Sequence, residues 1–198
     1  MKKRTAFIGA ILSLIPFGQP LIIKTGAVLS TTVLITSLPE KVQARDNSYY
    51  FDRAYDKANR GDHYGAISDY TKAIEINPKK DAAYHNRGVA KEYLKDYEGA
   101  LKDYEKAISI DPFDYLAWSG VGNMKSKLED YYAAIYALNK SIKLNSSDPD
   151  VYVNRGNAKY SIGDKKGACD DFKKAISLGH KDTEKWFQTN GAAWCRDM

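Results

Sequence analysis

The chain has 198 residues and a formal net charge of +5. Residues 1–44 hold five lysines or arginines against one acid, so the rest of the chain carries a net charge of only +1. Residues 45–198 are therefore nearly neutral and lack the excess of basic residues that binding to phosphates requires, which excludes nucleic acid as a partner.

Residues 1–44 have the composition of an export signal. Basic residues at the N-terminus precede two apolar stretches, 5–23 and 26–38, and small residues at Val42 and Ala44 fit cleavage by a signal peptidase. Prolines and a lysine keep both stretches below the ~20 apolar residues of a membrane-spanning helix. We therefore predict cleavage after Ala44 and export to a periplasm, a thylakoid-type lumen or the extracellular space. Contact with a membrane is predicted only through residues 1–44, before cleavage. The alternative is an uncleaved N-terminal segment that anchors the protein to a membrane.

After this segment the sequence repeats with a period of 34 residues. Each unit carries two amphipathic stripes around a turn, so each is predicted to form a helical hairpin. Small residues return at three positions of the unit, where the two helices would touch. The units are 47–80, 81–114, 115–148 and 149–182, and the first helix is expected to start near Tyr49. The recurring small residues are Ala54, Gly88, Gly122 and Gly156; Ala66, Ala100, Ala134 and Ala168; and Ala73, Ala107, Ser141 and Ala175.

This period and these small-residue positions resemble the tetratricopeptide repeat (TPR). The clearest matches in the second unit are Asn86-Arg87-Gly88, Asp96 to Ala100, Tyr104 to Ile108 and the closing Pro112. The resemblance implies an all-α fold, a right-handed α-solenoid of four TPR hairpins that bury their apolar stripes between neighbours. The four units are repeats 1 to 4 in chain order.

Residues 183–198 are predicted to form a capping helix and a tail. Trp186 stands at the unit position that aromatic residues occupy in repeats 2 to 4, but no second helix is expected after it. A terminal helix that covers the last hairpin is the element that repeat arrays need at their ends.

The chain has two cysteines, Cys169 in repeat 4 and Cys195 in the cap. The capping helix is expected to run antiparallel to the second helix of repeat 4, which brings the two thiols within reach of each other. Because an exported chain enters an oxidising compartment, we predict a disulfide between them, with two free thiols as the alternative.

Two charged positions vary together between the repeats. Repeats 1, 2 and 4 have an arginine in the first helix and an aspartate in the second, whereas repeat 3 has Val121 and Ala137 there. This joint loss predicts an ion pair between the two helices of one repeat. The predicted pairs are Arg53 with Asp69, Arg87 with Asp103, and Arg155 with Asp171. Four lysines at one further position are interpreted as lying over the neighbouring helix with their charge in solvent: Lys57, Lys91, Lys125 and Lys159.

The sequence has no arrangement of residues that is typical of catalysis. His63, His85 and His180 lie in different repeats, and no group of His, Cys, Asp or Glu has metal-ligand spacing. Phosphate-binding loops and nucleophile motifs are also absent from the sequence. We therefore predict a non-enzymatic protein with no metal, no cofactor and no small-molecule substrate.

The resemblance implies a concave groove, lined by the first helices, that binds an extended peptide or a helix of another protein. Asparagines can donate to and accept from a peptide backbone, and tyrosines add apolar area with a polar tip. The predicted groove residues are Tyr55, Asn59, Asn86, Tyr93, Asn123, Asn154, Asn157 and Tyr160. We predict an exported adaptor or assembly factor that uses this groove. The alternative is a structural array that self-associates by end-to-end stacking of repeats.

Some TPR proteins grip the C-terminal tail of a chaperone with a carboxylate clamp of two lysines, two asparagines and an arginine. The corresponding residues of this chain are Phe51, Tyr55, Asn86, Leu116 and Gly120. Only Asn86 matches, which argues against a clamp.

Overall fold

The computed structural model describes residues 38–189 and 192–196 of the chain. Most of the predicted signal peptide, residues 1–44, therefore lies outside the described residues. Those that are described form ten helices and no strand, which confirms the predicted all-α array of consecutive hairpins. The helices are α1 (Leu38–Asn59), α2 (His63–Ile76), α3 (Asp81–Tyr93), α4 (Tyr97–Ile110), α5 (Tyr115–Lys127), α6 (Tyr131–Leu144), α7 (Pro149–Ser161), α8 (Lys165–Ser177), α9 (Lys181–Gln188) and α10 (Ala193–Arg196).

The first eight helices pack as four hairpins, α1 with α2, α3 with α4, α5 with α6, and α7 with α8, and each hairpin packs on the next. The first helices of neighbouring hairpins also touch, α1 with α3, α3 with α5, and α5 with α7. This closer approach makes the first helices the inner wall of the array. The second helices α2, α4, α6 and α8 form its outer side.

An aspartate begins the second helix of every hairpin. Its carboxylate accepts a hydrogen bond from the backbone N–H three residues further on, which satisfies one of the free donors at the helix start. The residue before it has a positive φ, between 62° and 85°, which turns the chain back sharply. The capping aspartates are Asp62, Asp96, Asp130 and Asp164, and the positive-φ residues are Gly61, Lys95, Glu129 and Gly163.

Within each hairpin a large side chain of the second helix fills the space beside a small residue of the first. A Cβ on Gly88 would lie 3.1 Å from a ring carbon of Tyr104, whereas a Cβ on Gly122 would lie 2.5 Å from Cγ of Leu138. Tyr104 and Leu138 are both buried. Packing therefore determines where small residues recur, and the repeats differ in how well these positions tolerate a larger side chain.

We expect Gly122→Ala to destabilise the protein by about 1–3 kcal/mol, because the added methyl group overpacks the contact with Leu138. Gly88→Ala is the matched control. The ring of Tyr104 needs to move only slightly there, and the better helix propensity of alanine, worth about 1 kcal/mol, offsets the strain. Urea unfolding followed by circular dichroism measures both, and equal losses would contradict the packing argument.

Helix α1 begins at Leu38, eleven residues before the start predicted near Tyr49. Pro39 is compatible with a first helical turn. The residues that follow, including Glu40, Lys41 and Ala44, are good helix formers. The sequence prediction missed this extension because the 34-residue pattern does not reach that far.

The cap consists of two short helices, α9 and α10, in place of the predicted single capping helix. Helix α9 ends at Gln188, and Thr189 has an extended backbone with ψ of 169°. β-branched Thr189, together with the sequence Asn190-Gly191, favours helix termination. Both helices still cover the last hairpin, because Trp186 packs on Phe172 with ring centroids 5.1 Å apart and Cys195 is completely buried.

Candidate functional site

A pocket of about 420 Å³ lies on the inner wall between repeats 1 and 2. Four of the eight predicted groove residues line it: Tyr55, Asn59, Asn86 and Tyr93. Tyr55 and Tyr93 expose 52% and 69% of their surface, so their rings are available for contact. The remaining wall is mostly apolar, from Ala58, Tyr70, Val89 and Ala90. This combination of apolar walls with a few amide groups is typical of a ligand-binding pocket.

The same pocket contains His63, which the sequence analysis did not assign to the groove. Its ring stacks on that of Tyr93, with centroids 4.5 Å apart and planes at 5° to each other. His63 is the first residue of α2, and the resemblance pointed only to first helices. No local sequence signal could place it here, because its partner Tyr93 belongs to the next repeat.

Tyr70 forms another part of the pocket wall and is almost fully buried. Burial raises the pKa of Tyr70 to about 12, since the charged phenolate is poorly solvated there. The hydroxyl group therefore stays protonated even at alkaline pH values at which an exposed tyrosine ionises.

The other four predicted groove residues do not join this pocket. Asn157 lines a second pocket of about 280 Å³ at the C-terminal end, together with Phe172 and Trp186. Tyr160 packs against Trp194 of the cap, with ring centroids 5.1 Å apart. The predicted residues are thus divided among separate places along the inner wall.

Asn123 is held by a neighbouring repeat. Its Nδ2 donates to Oε1 of Glu92 at 2.6 Å, and the hydroxyl of Tyr104 donates to Oε2 of the same carboxylate at 3.0 Å. Burial, reinforced by the nearby charge of Glu92, raises the pKa of Tyr104 well above its usual value. Asn123 therefore helps to join α5 to α3, while Asn154 is half-buried on α7.

Three models of the tetratricopeptide repeat match four segments of the chain, residues 48–80, 82–114, 122–163 and 149–178. The chain belongs to the tetratricopeptide repeat family. A chain of this family is a scaffold for interaction with other proteins, and TPR folds are typically non-catalytic.

Solved structures with the same arrangement of TPR hairpins include the crystal structure of MamA protein, with a TM-score of 0.65 and 25% sequence identity. That alignment covers 68% of this chain and 74% of the MamA chain. MamA from Desulfovibrio magneticus RS-1 has a TM-score of 0.63 and 20% identity over 80% of this chain and 92% of its own, which shows a common fold. No curated protein matched the sequence.

Beside the groove of this TPR array, each of repeats 1, 2 and 4 contains a buried aspartate that binds two cations. In repeat 2, Arg87 donates from Nε and Nη2 to the two carboxylate oxygens of Asp103, at 2.8 and 2.7 Å. Nζ of Lys91 lies 2.7 Å from the same carboxylate. The equivalent groups are Arg53, Lys57 and Asp69 in repeat 1, and Arg155, Lys159 and Asp171 in repeat 4.

These contacts correct the interpretation of the lysines. Lys57, Lys91 and Lys159 each form an ion pair with the buried aspartate of their own TPR hairpin. In repeat 3, where Ala137 replaces the aspartate, Lys125 instead lies 3.5 Å from Asp130. The sequence conceals this role, because the lysine is retained in the repeat that lacks its partner.

Two of the arginines also link neighbouring TPR hairpins. Nη1 of Arg87 donates to Oγ1 of Thr71 at 2.9 Å, and Nη1 of Arg155 donates to Oδ1 of Asn139 at 2.6 Å. Val121 cannot form such a link in repeat 3. The contact of Asn123 with Glu92 joins repeats 2 and 3 in its place.

The pKa of Asp69 predicts how acid affects the first hairpin. Hydrogen bonds from Arg53, with a further contribution from Lys57, lower this pKa from an ordinary 3.8 to about 2 despite desolvation. A lowered folded-state pKa adds stability above the unfolded value and loses it as the pH falls through the folded value. We expect the stability advantage of the wild type over Asp69→Asn to shrink between about pH 4 and pH 2. Urea unfolding of both proteins at a series of pH values measures this advantage. A stability difference that does not change with pH would contradict the lowered pKa of Asp69.

The carboxylate clamp of some TPR proteins is also incompatible with the packing in repeat 3. A Cβ on Gly120, where the clamp needs an arginine, would lie 2.7 Å from Cζ of Tyr104. The buried Tyr104 ring would have to shift to admit a larger residue, so the packing disfavours an arginine at this position.

Within residues 38–189 and 192–196, no group of three or more His, Cys, Asp or Glu side chains has an arrangement that could hold a metal ion. The helices of the same part of the chain include none that is long and apolar enough to cross a bilayer.

Proposed function

We propose that this TPR protein is an exported, non-enzymatic adaptor that binds an extended peptide or a helix of another protein on its inner wall. The pocket of about 420 Å³ that contains Tyr55, Asn59, Asn86 and Tyr93 supports this proposal most directly. Its volume lies in the range of about 300–1,000 Å³ that is usual for ligand pockets.

The pocket chemistry fits a peptide with a large apolar or aromatic side chain. Tyr93 offers an exposed ring that stacks with one face on His63, and Tyr55 contributes a second exposed ring. Because His63 already restricts the Tyr93 ring, binding costs little side-chain entropy. The amides of Asn59 and Asn86 pair with the peptide backbone of the partner beside that anchor.

Replacing Tyr93 tests the groove. Tyr93→Ala is expected to weaken binding of a partner captured from the native compartment by about 30-fold, the effect of losing a central aromatic contact. Tyr64→Ala is the matched control, because Tyr64 is similarly exposed, at 77%, but lies on the outer helix α2. Equal affinities of the two variants would refute a site in this pocket. Loss in Asn154→Ala/Asn157→Ala, with Tyr93→Ala unaffected, would place the site at the C-terminal end.

Export has a separate test. The N-terminal sequence of the protein from its native compartment is expected to begin at Arg45, directly after the predicted cleavage site. A chain that retains residues 1–44 and sediments with membranes would support the anchored alternative.

The cap disfavours self-association by end-to-end stacking. Trp186, Ala192 and Cys195 pack on the last hairpin and occupy part of the surface that a further repeat would need. We expect light scattering to give the mass of a monomer. A mass that increases with concentration would favour the structural array instead.

A further inference from the structure

Exposed charge is unevenly distributed on the outer side of the array. Helices α2 and α4 expose three lysines and three glutamates, so their charges balance. Helices α6 and α8 expose six lysines but only one carboxylate, that of Asp170. The six residues, here named the lysine face, are Lys140, Lys143, Lys165, Lys166, Lys173 and Lys174. The small net charge of the whole body conceals this local excess.

The charge of the lysine face is largely unneutralised. Lys166 lies 3.6 Å from Asp170, but both side chains are mostly exposed, so this pair is weak. The ammonium group of Lys140 lies over the ring of Tyr136, 5.3 Å from its centroid. Within the described part of the chain, the other four lysines lie beyond ion-pair distance of any carboxylate.

Two exposed tyrosines accompany these lysines. Tyr132 and Tyr136 lie four residues apart on α6 and expose 74% and 59% of their surface. Tyr136 packs edge-on against Trp118 and still exposes more than half of its surface. Tyrosine rings with an apolar body and a polar tip are favoured where an apolar phase meets water.

The type of cation indicates the type of partner. Arg53, Arg87 and Arg155 are used in the buried ion pairs, and the lysine face contains no arginine. Lysine is a flexible point charge without the fixed fork that recognises one carboxylate or phosphate. A row of such cations suits a fluid surface with many anionic groups better than a single rigid ligand.

We propose that α6 and α8 bind the surface of a membrane that contains anionic lipids, through the lysine face and the two tyrosines. This contact is additional to any made by residues 1–44, revises the sequence-based prediction that the rest of the chain makes none, and goes beyond the proposed function in the groove. Because the lysine face lies on the second helices, the inner wall formed by the first helices stays open to a protein partner.

The test is sedimentation of the full chain with phosphatidylcholine vesicles that contain or lack phosphatidylglycerol. Each lysine near an anionic surface strengthens binding by about fivefold, so Lys140→Gln/Lys173→Gln/Lys174→Gln is expected to weaken binding to the anionic vesicles by about 100-fold. The matched control is Lys72→Gln/Lys102→Gln/Lys106→Gln. It removes the same net charge from the balanced helices α2 and α4 and is expected to stay within about fivefold of the wild type.

Residues 1–44 are present in both triple variants, so a difference between the two does not come from this segment, and circular dichroism verifies that both variants are folded. Added salt is expected to weaken binding of the wild type more than that of the lysine-face variant. Equal losses in the two triple variants, or binding that does not depend on phosphatidylglycerol, would overturn the proposal. Binding to polyglutamate or duplex DNA but not to vesicles would also overturn it and would assign the lysine face to an acidic macromolecule.

Discussion

Asp103→Ala is expected to lower the free energy of unfolding by about 3 kcal/mol, more than the double replacement Arg87→Val/Asp103→Ala. The single change leaves Arg87 and Lys91 beside each other without their shared anion, and their side chains are only 16% and 19% exposed. The double change removes one of these cations. It also recreates the arrangement of repeat 3, in which Val121 and Ala137 pack in the core.

Lys91 has an alternative partner in both variants. It stands at the unit position of Lys125, which lies 3.5 Å from Asp130, and Asp96 is the equivalent aspartate of repeat 2. The cation that only the single variant leaves unpaired is therefore Arg87. We therefore expect a loss of about 1 kcal/mol for the double variant. Urea unfolding measures both variants. Equal losses would indicate that the ion pair itself, and not the unpaired charge, determines the stability of the hairpin.

The predicted disulfide between Cys169 and Cys195 is expected to stabilise the protein by about 3 kcal/mol on the chain-entropy account of disulfides. The two residues are 26 positions apart, and the structure pairs them with Cα atoms at 5.4 Å. Cys195 lies in the four-residue helix α10, which is too short to be stable without its tertiary contacts. Reduction should therefore release α10 and separate Trp194 from Tyr160.

Thermal unfolding with and without a reductant measures this effect, and the fluorescence of the tryptophans reports the cap. A Cys169→Ala/Cys195→Ala variant serves as the control, because a reductant should leave its stability unchanged. Non-reducing mass spectrometry of the protein from its native compartment is expected to give the mass of a chain that lacks two hydrogen atoms. Alkylation of both thiols under those conditions would show that the cap is held by packing alone.

The hairpin architecture follows from features that lie close together in the sequence. The 34-residue period, the small residues opposite large ones and the turn aspartates predict helix pairs without knowledge of any other protein. The simultaneous absence of Arg and Asp from repeat 3 predicted a pair within one hairpin, and Arg87 and Asp103 lie in such a pair. These patterns are readable because each involves residues within one unit.

The candidate site was predictable only in part. The resemblance pointed to Tyr55, Asn59, Asn86 and Tyr93, which share one pocket, but it also pointed to Asn123, which Glu92 holds. Whether an inner-wall residue is free depends on the side chain that the next repeat places against it. A sequence pattern within one repeat contains no such information.

What the sequence determined by itself is the repeated hairpin, because helix periodicity and close packing depend on near neighbours along the chain. Only the tertiary structure decided which side chains meet between hairpins: the second cation on each buried aspartate, the stack of His63 on Tyr93, and the two-part cap. It also revealed the lysine face, because the net charge is a sum over all residues and does not show where the charges lie. Stacking of the repeats separates residues that are adjacent in sequence and brings together residues from different units.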